Sequence, residues 1–215
     1  MERAEAIARL TKLAGQDLRV VAEQHGVTVW TPHVAPGDPV PAGAKLNKGW
    51  AGQTIERVLD LPLNSSRAPN FGSWELKIIP LKHLGDGSLA VKETMAITML
   101  DPVEVEAKEF EQSHLYTKLR KAVVAARVVE DRAESRSLLY SVGAFDLDNP
   151  KIYKQVKADY DLVRRALREE GFEALTGAMG TLVQPRTKGP GHGSISRAFY
   201  ARPAFVAHII GLRSL

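Results

Sequence analysis

The 215-residue sequence contains no cysteine. Disulfides, thiolate zinc sites and cysteine nucleophiles are therefore excluded, and a reducing compartment is compatible with that absence. No apolar run approaches the length of a membrane span. No apolar signal-type segment follows the charged start Met1-Glu2-Arg3-Ala4-Glu5. A cytoplasmic protein without membrane association is the expectation. The histidines stand at positions 25, 33, 83, 114, 192 and 208, with no H-x-x-x-H pair, so a zinc site is not expected. Gly189-Pro190-Gly191-His192-Gly193 lacks the strand-to-helix setting of a phosphate cradle. There is no internal repeat. The last absence is acidic: from Ala174 to Leu215 there is no Asp or Glu, whereas Arg186, Lys188, Arg197, Arg202 and Arg213 fall there. Such an end is either a solvated basic tail or the footprint of a polyphosphate partner.

What is present suits one sizeable domain or two small lobes. Apolar residues are 44% and charged residues 25% of the chain, with a net charge of +4. Ile7, Leu10 and Leu13 mark a helix within 3–14, closed by Gly15. Asp17 can cap a helix from Leu18 to His25, stopped by Gly26. Residues 27–46 hold four prolines and read as a loop. Asn47 can cap a helix from Lys48 to about Leu61, with Ile55, Val58 and Leu59 buried. A connecting loop covers 61–69. Trp74–Ile79 reads as a strand ended by Pro80, and Leu89–Leu100 as a second strand after the Asp86-Gly87 turn. Residues 112–119 suit a short helix. Lys121–Val129 and Ser137–Phe145 suit strands, although periodicity leaves the first open to helix. Asn149-Pro150 starts a helix that runs to Glu170 and stops at Gly171, buried along Ile152, Val156, Val163 and Leu167. Phe205–Leu212 is an apolar segment for the core. This order predicts a mixed α/β (α+β) fold with a central sheet.

The chemistry sits in Asn70-Phe71-Gly72-Ser73-Trp74-Glu75-Leu76-Lys77. Alternation along a strand turns Glu75 and Lys77 to one face. A carboxylate beside an ammonium in an apolar run suits phosphodiester hydrolysis. The carboxylate helps to hold Mg²⁺, and the lysine orients a nucleophile or offsets developing charge. Alone, such a triplet is more often an ordinary ion pair worth about 0–1 kcal/mol. Trp50 and Trp74 are expected in the core beside the site.

Further residues carry a family likeness. Lys48-Gly49-Trp50, Glu56 and then Glu75-Leu76-Lys77-Ile78-Ile79-Pro80 resemble the MutH family of PD-(D/E)XK endonucleases. That family includes a mismatch-repair strand-nicking endonuclease and type II restriction endonucleases. Glu111-Gln112-Ser113-His114 with Lys118, and Ser196-Arg197-Ala198-Phe199-Tyr200, extend the likeness toward the C-terminus. The resemblance implies a PD-(D/E)XK restriction-endonuclease-like core sheet flanked by helices, with two lobes around a DNA cleft. In that picture 1–215 is a single endonuclease domain, with a catalytic lobe over roughly 27–110. A DNA-reading lobe covers roughly 111–215, beside N-terminal helices over 1–26. Glu75 is implied as a Mg²⁺ ligand together with residue 70, and Lys77 as the catalytic lysine. Glu56 is a supporting carboxylate, and Lys118 is a lysine at the scissile phosphate. Lys48, Arg186, Lys188, Arg197 and Tyr200 are implied DNA contacts, with double-stranded DNA as substrate and a monomer as the working state.

One position departs. The family's pattern begins with Asp, and this chain has Asn70. A neutral amide should weaken Mg²⁺ binding and water activation. The change reads as a substitution that silences the site, as natural degeneration to binding without cutting, or as a site whose first acid is Glu56 or Asp60. The first is the leading expectation. The short spacing from Asn70 to Glu75 favours a type II restriction endonuclease working beside a cognate DNA methyltransferase. The alternatives are a mismatch-repair nicking enzyme with an activating partner, a non-catalytic DNA-binding protein, and an unrelated basic α/β protein.

Overall fold

The computed structural model describes residues 1–61, 73–131, 134–189 and 196–215. Asn70, most of the 61–69 connecting loop and most of the Gly189–Gly193 loop lie outside them. The expected mixed α+β class holds. The chain forms two compact units from interleaved segments: 1–65, 76–92 and 123–144 in the first; 66–75, 93–122 and 145–215 in the second.

The first unit starts with α1 (Arg3–Thr11) and α2 (Leu18–Gln24). Asp17 caps α2 by accepting from Arg19 N, as its position predicts. The proline-rich loop is not wholly irregular, because Trp30–Thr31 (β1) pairs antiparallel with Lys45–Leu46 (β2). Next comes α3 (Trp50–Val58), shorter than expected. Asn47 makes a turn before it rather than a cap: its Oδ1 accepts from Gly49 N, and its Nδ2 donates to the Thr28 carbonyl and to Gln53. Ile55 and Leu59 are buried, whereas Val58 is only half-buried.

The sheet follows as β3 (Glu75–His83), β4 (Leu89–Val91), β6 (Lys121–Val129) and β7 (Ser137–Asp146), in the order β4-β3-β6-β7. Pro80 does not end β3, which runs on to His83. A proline lacks an N–H but still accepts, and the Pro80 carbonyl takes Lys92 N at 2.9 Å. The strand expected over Leu89–Leu100 divides after Val91. Its second part, β5 (Met95–Met99), pairs with the later strand β9 (Arg197–Ala201) in a different sheet. Strand β6 is buried from Ala122 to Val129. A strand covered on both faces shows no alternation, which is why periodicity left it ambiguous.

The second unit packs α4 (Pro102–Ala107), α5 (His114–Leu119), α6 (Pro150–Glu170) and α7 (Pro203–Ile209) with β5, β8 (Val183–Thr187) and β9 (Arg197–Ala201). The sheet order is β5-β9-β8. Helix α6 matches its expected limits: Asn149 caps it through Lys151 N and Ile152 N, and Gly171 leaves it at φ +86°. Its buried stripe includes one acid, Asp159. That carboxylate accepts from Thr181 N, Leu182 N and Val183 N at 2.7–2.8 Å, and from Gln155 Nε2 at 2.9 Å. It thereby docks the start of β8 on α6. The turn before β8 needs Gly180, where φ is +74° and an added Cβ would stand 1.9 Å from the Val183 carbonyl oxygen. Arg202 braces the same turn by donating to the carbonyls of Gly177, Met179 and Gly180. Among the described residues no helix is long and apolar enough to cross a membrane.

Asp159→Ala strands two buried backbone donors and one part-buried donor and is expected to cost roughly 3 kcal/mol in urea unfolding. A loss below about 1 kcal/mol would contradict the docking role.

Candidate active site

Each unit carries part of the residue set named from the sequence. In the first unit, α3 carries half-buried Glu56, exposed Lys48 precedes it, and β3 carries half-buried Lys77. A buried lock fixes α3. The Trp50 indole Nε1 donates to Glu134 Oε2 at 2.9 Å. Arg127 of β6 donates to the same oxygen at 2.9 Å and to Ser137 Oγ at 2.8 Å. The Arg127 guanidinium also stands 5.1 Å from the centre of the Trp50 ring. Burial alone would push the Glu134 carboxyl up. The Arg127 hydrogen bond and charge, the Trp50 donor and the Lys92 charge outweigh it and hold the group below its ordinary value of 4.5. Beyond Trp50 as a core residue, no local pattern marks this lock, because Glu134 stands among other charged residues in the sequence.

In the second unit, Glu75 opens β3 with only 2% of its surface exposed. Lys118, on the last turn of α5, donates from Nζ to Glu75 Oε1 at 3.2 Å. The two side chains are 3% and 12% exposed. Two residues that stand 43 apart in the chain are thus brought into one buried ion pair. Ser113 caps α5 by accepting from Tyr116 N, while buried Leu115 and Leu119 seat it.

The basic strands lie in this second unit. Arg186 of β8 is exposed; its Nη1 donates to Thr94 Oγ1 at 3.0 Å, and its guanidinium lies 5.8 Å from the centre of the Tyr200 ring. The Tyr200 hydroxyl is raised by burial, with Arg186 opposing and Glu93 adding to the rise. Exposed Lys188 continues the β8–β9 ladder by donating its backbone N–H to the Ser196 carbonyl. Arg197 is the most enclosed of this set. It is 9% exposed, donates to the Leu175 carbonyl at 3.0 Å, and stacks 5.0 Å from the centre of the Phe172 ring.

A hard cation takes oxygen ligands, and the Glu75 carboxylate is a donor of that kind. Among the described residues no cluster of three or more His, Asp or Glu could hold a metal ion. Of the two expected metal ligands, the Glu75 carboxylate is an oxygen donor of the right kind, and residue 70 lies outside the described residues.

The mixed α+β architecture thus carries a buried acid–lysine pair at the start of a strand. Comparisons with known proteins give this chain its likeness. The family model described as "DNA mismatch repair enzyme MutH" matches residues 59–157, a span that contains Asn70, Glu75, Lys77 and Lys118. Proteins called "DNA mismatch repair protein MutH" are similar along nearly the whole chain. That of Haemophilus ducreyi is 26% identical over 96% of this chain and 92% of its own length. That of Vibrio cholerae serotype O1 is 25% identical over 96% and 94%, and that of a Shewanella species 26% over 96% and 93%. Both comparisons thus find the same likeness, to MutH proteins.

Glu134 has a lowered folded-state pKa, so its stabilising contribution is fully present above the ordinary glutamate value and is lost as pH falls through the folded one. Glu134→Gln is expected to lower stability most at neutral pH, with the gap from the parent protein closing in acid. Urea titrations across that range check it, and a gap independent of pH would contradict it.

Proposed function

We propose that this chain is a DNA endonuclease of the mismatch-repair type, built to hydrolyse a phosphodiester bond of duplex DNA. The observation that carries the proposal is the buried Glu75–Lys118 pair, which lies inside the span matched by the MutH family model. Restriction was the first expectation from the sequence. The full-length likeness to proteins named for mismatch repair favours the nicking alternative instead.

The residues divide the work as follows. Glu75, with residue 70, would hold a divalent cation, Mg²⁺ in the first instance. When bound, that cation supplies positive charge that polarises the phosphate and makes a water more acidic. Lys77, two places along β3, orients the attacking water, and Glu56 supports that end of the site. Lys118 presents its ammonium to the phosphate oxygens and balances Glu75 until DNA arrives. Arg186 and Lys188 are exposed next to the β8–β9 ladder and meet the duplex, with Arg186 held in place by Thr94 and Tyr200. Lys48 adds a backbone contact. Arg197 acts from beneath by fixing β9. An activating partner protein fits the mismatch-repair role.

Asn70 limits the reaction, because an amide replaces one of two anionic ligands. Asn70→Asp is therefore expected to raise Mg²⁺-dependent cleavage of a circular duplex by at least about a hundredfold. Single-strand nicks that increase with an activating partner support the repair role. Unaided double-strand cuts at one short site would instead return the protein to restriction. Steeply salt-dependent binding with no cutting in Mg²⁺ or Mn²⁺ would leave a binding protein only.

A further inference from the structure

Helix α5 has six residues, too few to hold its place by its own hydrogen bonds. Its far end carries Lys118. Its first residue, His114, is gripped by Glu104 of α4. Glu104 Oε1 accepts from His114 N at 3.0 Å, and His114 Nδ1 lies 2.9 Å from Glu104 Oε2. One carboxylate thus takes a backbone donor that the helix leaves unpaired, and the ring of the same residue. The Glu104 side chain is 11% exposed, and Lys108 Nζ supplies the balancing charge at 3.3 Å. Helix α4 is itself anchored from behind: the Tyr160 hydroxyl of α6 donates to the Lys108 carbonyl at 3.0 Å. Burial and then the Glu104 charge push that hydroxyl up to about 12, so the carboxylate is felt within the core. His114 and Lys118 are four residues apart, on the same side of α5 and about 6 Å apart along its axis.

We propose that Glu104 is a positioning residue for Lys118: by holding His114 it fixes the start of α5, and so sets where the Lys118 ammonium stands against Glu75. The proposal rests on Lys118 serving the site described above. Glu104 touches neither DNA nor the reacting atoms; it acts through His114 and the helix.

Two readouts test it. The first is acylation of Lys118 by an amine-reactive reagent, followed by mass spectrometry with exposed Lys151 as reference. Glu104→Ala should raise Lys118 labelling roughly tenfold, the factor that corresponds to losing one hydrogen bond to a charged group. Glu104→Gln still accepts from His114 N and should stay within about twofold of the parent. Val105→Ala destabilises the same helix but leaves the grip, and should not change labelling. The second readout is cleavage in the Asn70→Asp background, where Glu104→Ala should lower kcat roughly tenfold with KM unchanged and Glu104→Gln should restore it. Unchanged Lys118 labelling in Glu104→Ala overturns the proposal. So does an equal rise in Val105→Ala, or a rise in labelling that leaves kcat untouched. If Asn70→Asp cuts no DNA, the nuclease reading fails by itself, and the labelling still decides whether Glu104 positions Lys118.

Discussion

A carboxylate with 3% of its side chain exposed needs a cation beside it, and Glu75 has Lys118 at 3.2 Å. Desolvating both groups cancels much of their attraction, so a buried pair of this kind adds little to stability compared with an apolar pair of the same shape. Removing one member costs far more, because the other is left charged in a poor solvent. The consequence is chemical: the pair keeps an anionic oxygen donor and an ammonium preformed in a place with little water. A hard cation and a phosphodiester require groups of that kind.

Within each unit, polar side chains are spent on rigidity. In the first, Glu134 ties Trp50 to Arg127, so the helix that carries Glu56 is fixed to strand β6. In the second, Asp159 and Arg202 hold the turn that leads into β8, and Glu104 holds the start of α5. These groups are buried or half-buried charges satisfied by several donors or acceptors, which makes each arrangement costly to distort. Much of the basic character of the acid-free segment is spent in the same way. Arg197 and Arg202 brace backbone carbonyls, and Arg186 and Lys188 are the exposed cations next to the β8–β9 ladder.

Much of the secondary structure was legible because its signals are local. Asp17 and Asn149 cap helices where their positions predict, and Gly171 closes α6 at the expected residue. The misjudged places depend on tertiary context. Leu89–Leu100 is one apolar run in sequence, but the chain leaves one sheet and enters another between Val91 and Met95. Pro80 reads as a stop only if every ladder position needs a donor. Asp159 stands among the many charges of α6, and only its spacing from Val156 and Val163 puts it on the buried stripe. At the site, strand alternation could pair Glu75 with Lys77. It could not bring in Lys118 from 43 residues away; only the family likeness pointed there. The Glu104–His114 grip had no sequence signal, since neither spacing nor residue type sets it apart from a surface pair.

The central claim is that Glu75 is the acid on which DNA cleavage depends. Glu75→Gln keeps the shape and an oxygen for Lys118 but removes the anionic charge. In the Asn70→Asp background, with Mg²⁺ and duplex DNA, cleavage should fall to the limit of detection while DNA binding and its salt dependence stay the same. Cleavage by the Glu75→Gln protein at a rate comparable with its parent would contradict the account.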